Sequence, residues 1–362
     1  MKVAIVHYWL IGMRGGEKVL ENFCRIYPNA DIYTHVYRKD KVSAIINNHR
    51  IKTTFINKLP FALKLYKFYL PLMPLALKML DLKKYDLIIS SESGPSKGFL
   101  KNNNSLHICY CHTPMRYLYD MRTEYLNGYN FITRKIINFI LNLLKQWDIK
   151  SSKNIDIIVA NSSFVANRIK KYWNKNSIII SPSINFKDFY ISKGKKEYYL
   201  IISELVQYKR IDLAIDAFNE LNKKLYIIGN GTLLNQYRKI SGSNITFIQG
   251  IDDIKKSQYL SNCKALIFPG IEDFGITPLE AMASGRPVIA FHKGGVLDYI
   301  KENLNGMTFN KQTSDSLISC INNFENRENI FNSYKVRDSI NNFSYNNFVE
   351  NFKNIINNNE NN

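Results

Sequence analysis

The sequence predicts an α/β protein made of two doubly wound parallel-sheet domains. Its 362 residues are 45% hydrophobic and 22% charged, an ordinary globular composition with enough length for about two cores. Short apolar runs alternate with amphipathic stretches, the rhythm of βαβ units in a parallel sheet covered on both faces. That rhythm restarts in the middle of the chain, so two sheets fit better than one.

Residues 3–7 open the first series as a strand, followed by a helix-like stretch at 17–27 and strand-like runs at 31–36, 87–90 and 106–111. The second series comprises 155–160, 177–181, 199–203, 225–228, 245–249, 265–268 and 287–290, with helices between them such as 211–221. A polar cluster and Pro182 near residues 174–184, ahead of the charged segment 187–198, mark the boundary. We divide the chain into 1–180, 181–335 and a C-terminal piece, 336–362. That piece contains helix-like material at 343–356 and an Asn-rich end, 357–362, expected to fray.

The formal charge is +19, and it is unevenly spread: residues 1–185 carry 28 Lys and Arg against 11 Asp and Glu, whereas 186–362 carry 21 against 19. A compositional drift toward Lys and Asn would be uniform. The +17 half therefore points to a polyanionic partner, whether nucleic acid, an anionic membrane surface or a phosphorylated ligand. Five cysteines form an odd set, and Cys109-Tyr110-Cys111 lacks the two-residue gap of a zinc or redox pair, so reduced thiols in a cytosolic protein are expected. The chain opens on a strand rather than an export leader, and its longest uncharged greasy run near the basic stretch, 68–77, is well short of the ~20 residues of a spanning helix.

Two segments can carry chemistry. Arg14-Gly15-Gly16-Glu17 stands where the first helix begins, and adjacent glycines there let amide groups approach a phosphate. A glycine turn needed only for strand-to-helix packing reads the same way. The spacing is neither a dinucleotide fingerprint nor a P-loop. The second segment runs from Phe268 through Glu272, Phe274, Gly275, Ile276, Thr277, Pro278 and Glu280 to Ala290. Thr277-Pro278 has the form of a helix N-cap followed by proline, which would leave the amides of Phe274, Gly275, Ile276 and Thr277 open to a diphosphate. Glu272 and Glu280 could accept hydrogen bonds from sugar hydroxyls, although Thr277-x-x-Glu280 is also the pattern of a capping box.

Glu272 and Glu280, with seven residues between them in a Glu-Asp-Phe-Gly-Ile-Thr-Pro-Leu-Glu-Ala frame, resemble the E-x7-E motif of family 4 of the retaining glycosyltransferases, which have the two-domain GT-B fold. The opening His7-Tyr-Trp-Leu with Arg14-Gly-Gly-Glu-Lys, the middle Cys109-Tyr-Cys-His112-Thr-Pro-Met-Arg116-Tyr117, and Tyr208-Lys209-Arg210-Ile-Asp212 are similar to the bacterial O-antigen and exopolysaccharide mannosyltransferase subgroup. The resemblance implies two Rossmann-like domains facing a central cleft and a C-terminal helix returning to the first domain.

It also implies roles. Glu272 would touch the transferred sugar, Glu280 the donor ribose, Lys209 the donor diphosphate and His112 the donor sugar, with Gly15 and Gly16 on the donor side. Ser203-Glu204-Leu205 departs from the family by placing an acid where an arginine usually partners the lysine, which leaves Arg210 as the candidate replacement. Gly229-Asn230-Gly231 matches a family turn beside the nucleotide, but an Asn-Gly turn needs no ligand. With no Asp-x-Asp motif and no His or Cys cluster of ligand spacing, metal independence is expected. The resemblance implies a front-face displacement without a cofactor beyond the nucleotide sugar, GDP-mannose first and a UDP-hexose or dTDP-rhamnose as rivals.

The implied acceptor is a glycan on an undecaprenyl diphosphate carrier, and Arg116 and Tyr117 are candidates for its phosphate. Residues 59–82 mix Lys64, Lys67 and Lys78 with aromatic and aliphatic residues, as an interfacial segment on anionic lipid would; a core helix pair broken at Pro71 and Pro74 fits equally. The expected location is the cytoplasmic face of the membrane. A basic nucleic-acid-binding protein is the reading from another class, and it leaves the E-x7-E segment without a purpose.

Overall fold

The run Val3–His7 (β1) is buried at all five positions, which is why it reads as continuously apolar instead of alternating. The computed structural model describes residues 1–194 and 196–360. The chain forms two compact units, one of residues 1–181 joined by the segment from 351 onward, the other of residues 182–350.

In the first unit β1 is followed by α1 (Gly15–Ile26), β2 (Asp31–Thr34), β3 (Arg50–Thr53), β4 (Leu87–Glu92), β5 (Leu106–Cys111), α2 (Phe131–Ser152), β6 (Ile157–Ala160), α3 (Ser163–Trp173) and β7 (Ile178–Ile179). The seven strands lie in the order β3-β2-β1-β4-β5-β6-β7 and every pairing is parallel. The second unit holds β8 (Tyr199–Ile202), α4 (Ile211–Leu221), β9 (Leu225–Ile228), α5 (Leu234–Ile240), β10 (Ile245–Ile248), α6 (Asp253–Asn262), β11 (Leu266–Phe268), α7 (Ile276–Ala283), β12 (Val288–Phe291), β13 (Gly306–Phe309) and α8 (Ser314–Asn326). Its order is β10-β9-β8-β11-β12-β13, again all parallel. Strand order reverses between β1 and β4 in one sheet and between β8 and β11 in the other. Doubly wound sheets bind ligands at the carboxyl ends of the strands at such reversals.

Five differences from the sequence reading have physical causes. The runs 155–160 and 177–181, grouped there with the second series, are β6 and β7 of the first sheet, because an apolar run does not encode which sheet a strand joins. Two strands, β3 and β13, went unread; both are sheet edges, and one carries Arg50 and Lys52 while the other begins with a glycine. The helix near the second motif begins at Ile276, with Gly275 as its N-cap at φ +85°, so Thr277 is not the cap and Pro278 falls within the first turn, where its missing N–H costs nothing. The final helix, α9 (Tyr345–Glu360), runs through the segment expected to fray up to Glu360; Asn361 and Asn362 lie outside the described residues. Phe348, Phe352, Ile355 and Ile356 are buried at helical spacing and hold it.

Beneath the carboxyl end of β4 lies a buried ionic cluster. Lys97 pairs with Asp148 and, at 2.8 Å, with Glu92, all three fully buried. Tyr119 Oη and Trp173 Nε1 donate to the other Asp148 oxygen at 2.6 and 2.7 Å. Burial raises the Glu92 pKa against the pull of Lys97. Such a cluster contributes little net stability but is costly to break, because any one removal strands a buried charge. It ties β4 to α2 and α3, and through the Glu92 carbonyl, which accepts from the His112 amide at 2.8 Å, it fixes the loop after β5.

Candidate active site

The candidate residues fall into two groups, one in each unit. In the second unit, the loop after β8 and the loop after β11 meet at the β8/β11 reversal, and there Lys209 and Glu272 form an ion pair with side chains 13% and 25% exposed. The Glu272 backbone is clamped by the Gly295 amide, which donates to its carbonyl at 2.9 Å. Tyr299 Oη donates to the carbonyls of Phe274 (3.0 Å) and Gly275 (2.6 Å). Phe274 itself is buried against the rings of Tyr299 and Phe343. The loop carbonyls are thus tied inward, and at the start of α7 the amides of Ile276 and Thr277 stand where no preceding turn can accept from them. Gly275 is required at the cap because φ is positive and a Cβ would press within 3.0 Å of the Phe268 ring and of Tyr299 Oη.

Glu280 is not part of a capping box. Its Oε1 accepts from Lys256 Nζ at 2.9 Å, and Asp253 Oδ1 stands 3.5 Å from the same ammonium. Burial alone would lower the Lys256 pKa; the carboxylates more than offset it and raise it. Lys256, on α6, was not singled out in the sequence, where nothing marks it from its lysine neighbour. Arg210 sits in the left-handed region at the head of α4, its Nε 3.2 Å from Asp212 and its Nη1 3.5 Å from Gln312 Oε1. The turn at Gly229-Asn230-Gly231 rests on the segment carrying Glu204, with the Leu205 amide donating to the Asn230 carbonyl at 2.8 Å.

In the first unit Gly15, Gly16 and His112 come together at the β1/β4 reversal. Gly15 and Gly16 form the first turn of α1 behind Arg14 as N-cap. A Cβ on Gly16 would overlap the Tyr8 hydroxyl and lie at ordinary contact distance, 3.6 Å, from His112 Nε2, so the close packing of Tyr8 accounts for that glycine. His112 Nε2 is 2.8 Å from Ser91 Oγ, which is 3.0 Å from His7 Nδ1. Burial, reinforced by His7, pushes the His112 pKa down to about 3, so the ring is neutral near pH 7. Glu17 completes this cluster, with Oε1 3.6 Å from His7 Nε2 and Oε2 accepting from the Arg14 amide at 2.9 Å. Ser91 went unread, and His7 and Glu17 stood in motifs singled out in the sequence without a role of their own; β1, β4 and the start of α1 bring the three together.

Arg116 and Tyr117 lie apart from this group, on the turn at Arg116–Leu118. Arg116 Nη1 is 3.2 Å from Met121 Sδ and Tyr117 Oη donates to Met115 Sδ at 2.8 Å.

Residues 183–346 match the family glycosyl transferases group 1. An uncharacterized glycosyltransferase of Methanocaldococcus jannaschii, MJ1178, is 26% identical over 194 residues, 50% of this chain and 54% of that protein. The alpha-1,3/1,6-mannosyltransferase ALG2 of Candida glabrata is 27% identical over 280 residues, covering 61% of this chain and 59% of its own. The chain thus spans little more than half the length of these curated relatives. Among solved structures, Anabaena HepE in complex with UDP and glucose superposes with a TM-score of 0.72 at 14% identity, over 98% of this chain and 99% of that one. The chain has the two-domain GT-B fold, and its residues 183–346 are similar to the glycosyl transferases group 1 family.

Proposed function

We propose that the protein is a retaining, metal-independent hexosyltransferase that moves mannose from GDP-mannose to a lipid-linked glycan intermediate of a bacterial surface polysaccharide. The observation that carries this reading is the Lys209–Glu272 pair at the β8/β11 reversal, beside the open first turn of α7. A diphosphate there meets one compact cation and amides at the positive end of a helix, the groups needed to stabilise a leaving phosphate. Glu272, at the same spot, is placed to orient the transferred sugar. The departing phosphate oxygen then takes the acceptor hydroxyl's proton.

Mannose is favoured because a relative similar over 61% of this chain is a mannosyltransferase by name. A UDP-hexose is the second reading, supported by the UDP and glucose held by a protein of the same fold. Saturation binding of GDP, UDP and dTDP separates them: GDP is expected to bind at least tenfold more tightly than the others, and failure of GDP to bind removes the mannose assignment.

The acceptor side is proposed to lie on an anionic membrane. Among the described residues no helix is long and apolar enough to cross one. Residues 59–82 bury Ala62, Met73 and Ala76 in the core while leaving Phe61, Phe68, Leu75 and Met79 exposed beside Lys64, Lys67 and Lys78. Phe131, Ile132, Ile136 and Phe139 of α2 are exposed too, with Arg134 and Lys135 between them. Leu70 packs against the clusters beneath both segments, which makes them neighbours. Apolar side chains interleaved with cations suit an anionic interface. Sedimentation with vesicles containing anionic lipid, and none with neutral vesicles, is the expected result; equal binding to both would remove the electrostatic part of the reading.

A further inference from the structure

The cluster Glu17, His7, Ser91 and His112 contains two imidazoles and one hydroxyl in series, and when each ring carries a single proton only one order of protons is consistent with Glu17. Glu17 can be followed outward. Its Oε2 is occupied by the Arg14 amide, leaving Oε1 to face His7 Nε2 at 3.6 Å. Both side chains are buried, and among the described residues that ring nitrogen has no hydrogen-bond partner. A lone pair turned toward a buried carboxylate at this distance is repelled, whereas an N–H is attracted, and low local dielectric amplifies the difference. His7 therefore carries its proton on Nε2, and its Nδ1 is an acceptor.

The hydroxyl of Ser91, 3.0 Å from that Nδ1, must donate to it. Having spent its one proton, Ser91 Oγ can only accept from His112 Nε2 at 2.8 Å. His112 must then hold its proton on Nε2 and present Nδ1 as a bare acceptor. We propose that Glu17, His7 and Ser91 form a proton-ordering relay that fixes the tautomer of His112, so that His112 accepts a hydrogen bond from a hydroxyl of its ligand and cannot donate one to a phosphate. The three are positioning residues. The functional consequence rests on the reading of His112 as a contact to the transferred sugar; the proton order itself does not.

The test uses the full-length protein with ¹⁵N-labelled histidine and long-range proton–nitrogen correlation spectra at neutral pH, His7 and His112 being assigned by their loss in His7→Phe and His112→Gln. Both are expected as the Nε2–H tautomer. Glu17→Gln should reverse the order. The Arg14 amide needs the oxygen of the new side chain, which turns its NH2 group toward His7 Nε2; that nitrogen becomes the acceptor and the protons of both rings move to Nδ1. Ser91→Ala, which cuts the relay, should slow hydrolysis of a bound nucleotide sugar by about tenfold, as expected for one hydrogen bond of ~1.4 kcal/mol. An Nδ1–H tautomer of His112 in the unsubstituted protein, or a tautomer indifferent to Glu17→Gln, overturns the relay. The expected tautomers in a protein that binds no nucleotide sugar would uphold the relay and sink the donor reading instead.

Discussion

Glu272→Gln is expected to slow sugar transfer by about 10²–10³-fold while nucleotide affinity holds or rises, and Lys209→Met to weaken both. The opposite signs on affinity follow from the ion pair. Lys209 is paired with Glu272. Neutralising the glutamate releases the ammonium to a diphosphate; removing the lysine deletes a charge-assisted contact of about 1.5–3 kcal/mol and leaves a carboxylate facing the phosphates. Nucleotide affinity in Lys209→Met should fall by roughly 10–100-fold by that arithmetic. Neither change should unfold the protein, since a partly exposed pair contributes only about 0–1 kcal/mol to stability. Isothermal titration with the preferred nucleotide, alongside a donor-hydrolysis assay and melting curves, reads all three quantities. Should Glu272→Gln weaken nucleotide binding as much as Lys209→Met does, the pair is a structural clasp and the catalytic assignment falls.

Acidification from pH 7.5 to 5 is expected to remove about 6 kcal/mol from the stability of the first unit. Burial pushes the pKa of His35 down to about 4, that of His107 to about 3 and that of His112 to about 3. Unfolded histidines titrate near 6.5, so between that value and about 4 the unfolded chain binds more protons than the folded one, and stability falls as pH falls. Each histidine costs ~1.4 kcal/mol per pH unit in that window, about 6 kcal/mol for the three at pH 5, against a typical total of 5–15. Glu92 runs the other way, since burial raises its pKa and protonation relieves it, but it is one site against three. Trp9, Trp147 and Trp173 all belong to the first unit, so tryptophan fluorescence follows that unit alone. The urea midpoint seen by fluorescence should drop steeply between pH 6.5 and 5; a flat midpoint would show that these histidines are not held neutral.

Much of the fold was legible because parallel strands buried on both faces must be continuously apolar, and runs such as 106–111 and 225–228 coincide with β5 and β9. The strands that escaped, β3 and β13, are edges, where burial on both sides is not required and polar residues or glycine are tolerated. The loop between β11 and α7 was legible as a candidate site from its glycine, proline and spaced glutamates. Its detailed geometry was not: local propensity favoured Thr277 as the cap, and Gly275 took the position because the loop had to turn back under Tyr299. Glu280 likewise had a local partner available in the capping box and took a distant one, Lys256.

By itself, the sequence determined the two-sheet architecture, the basic character of the first half and the residue types available for phosphate and sugar, because hydrophobic period, charge and glycine spacing are local properties. Tertiary structure alone decided which of those residues touch. Lys209 meets Glu272, and His7 and Ser91 meet His112, only because strand order reverses where their loops emerge; that order is set by crossover packing between segments far apart in the chain, a property no local pattern encodes.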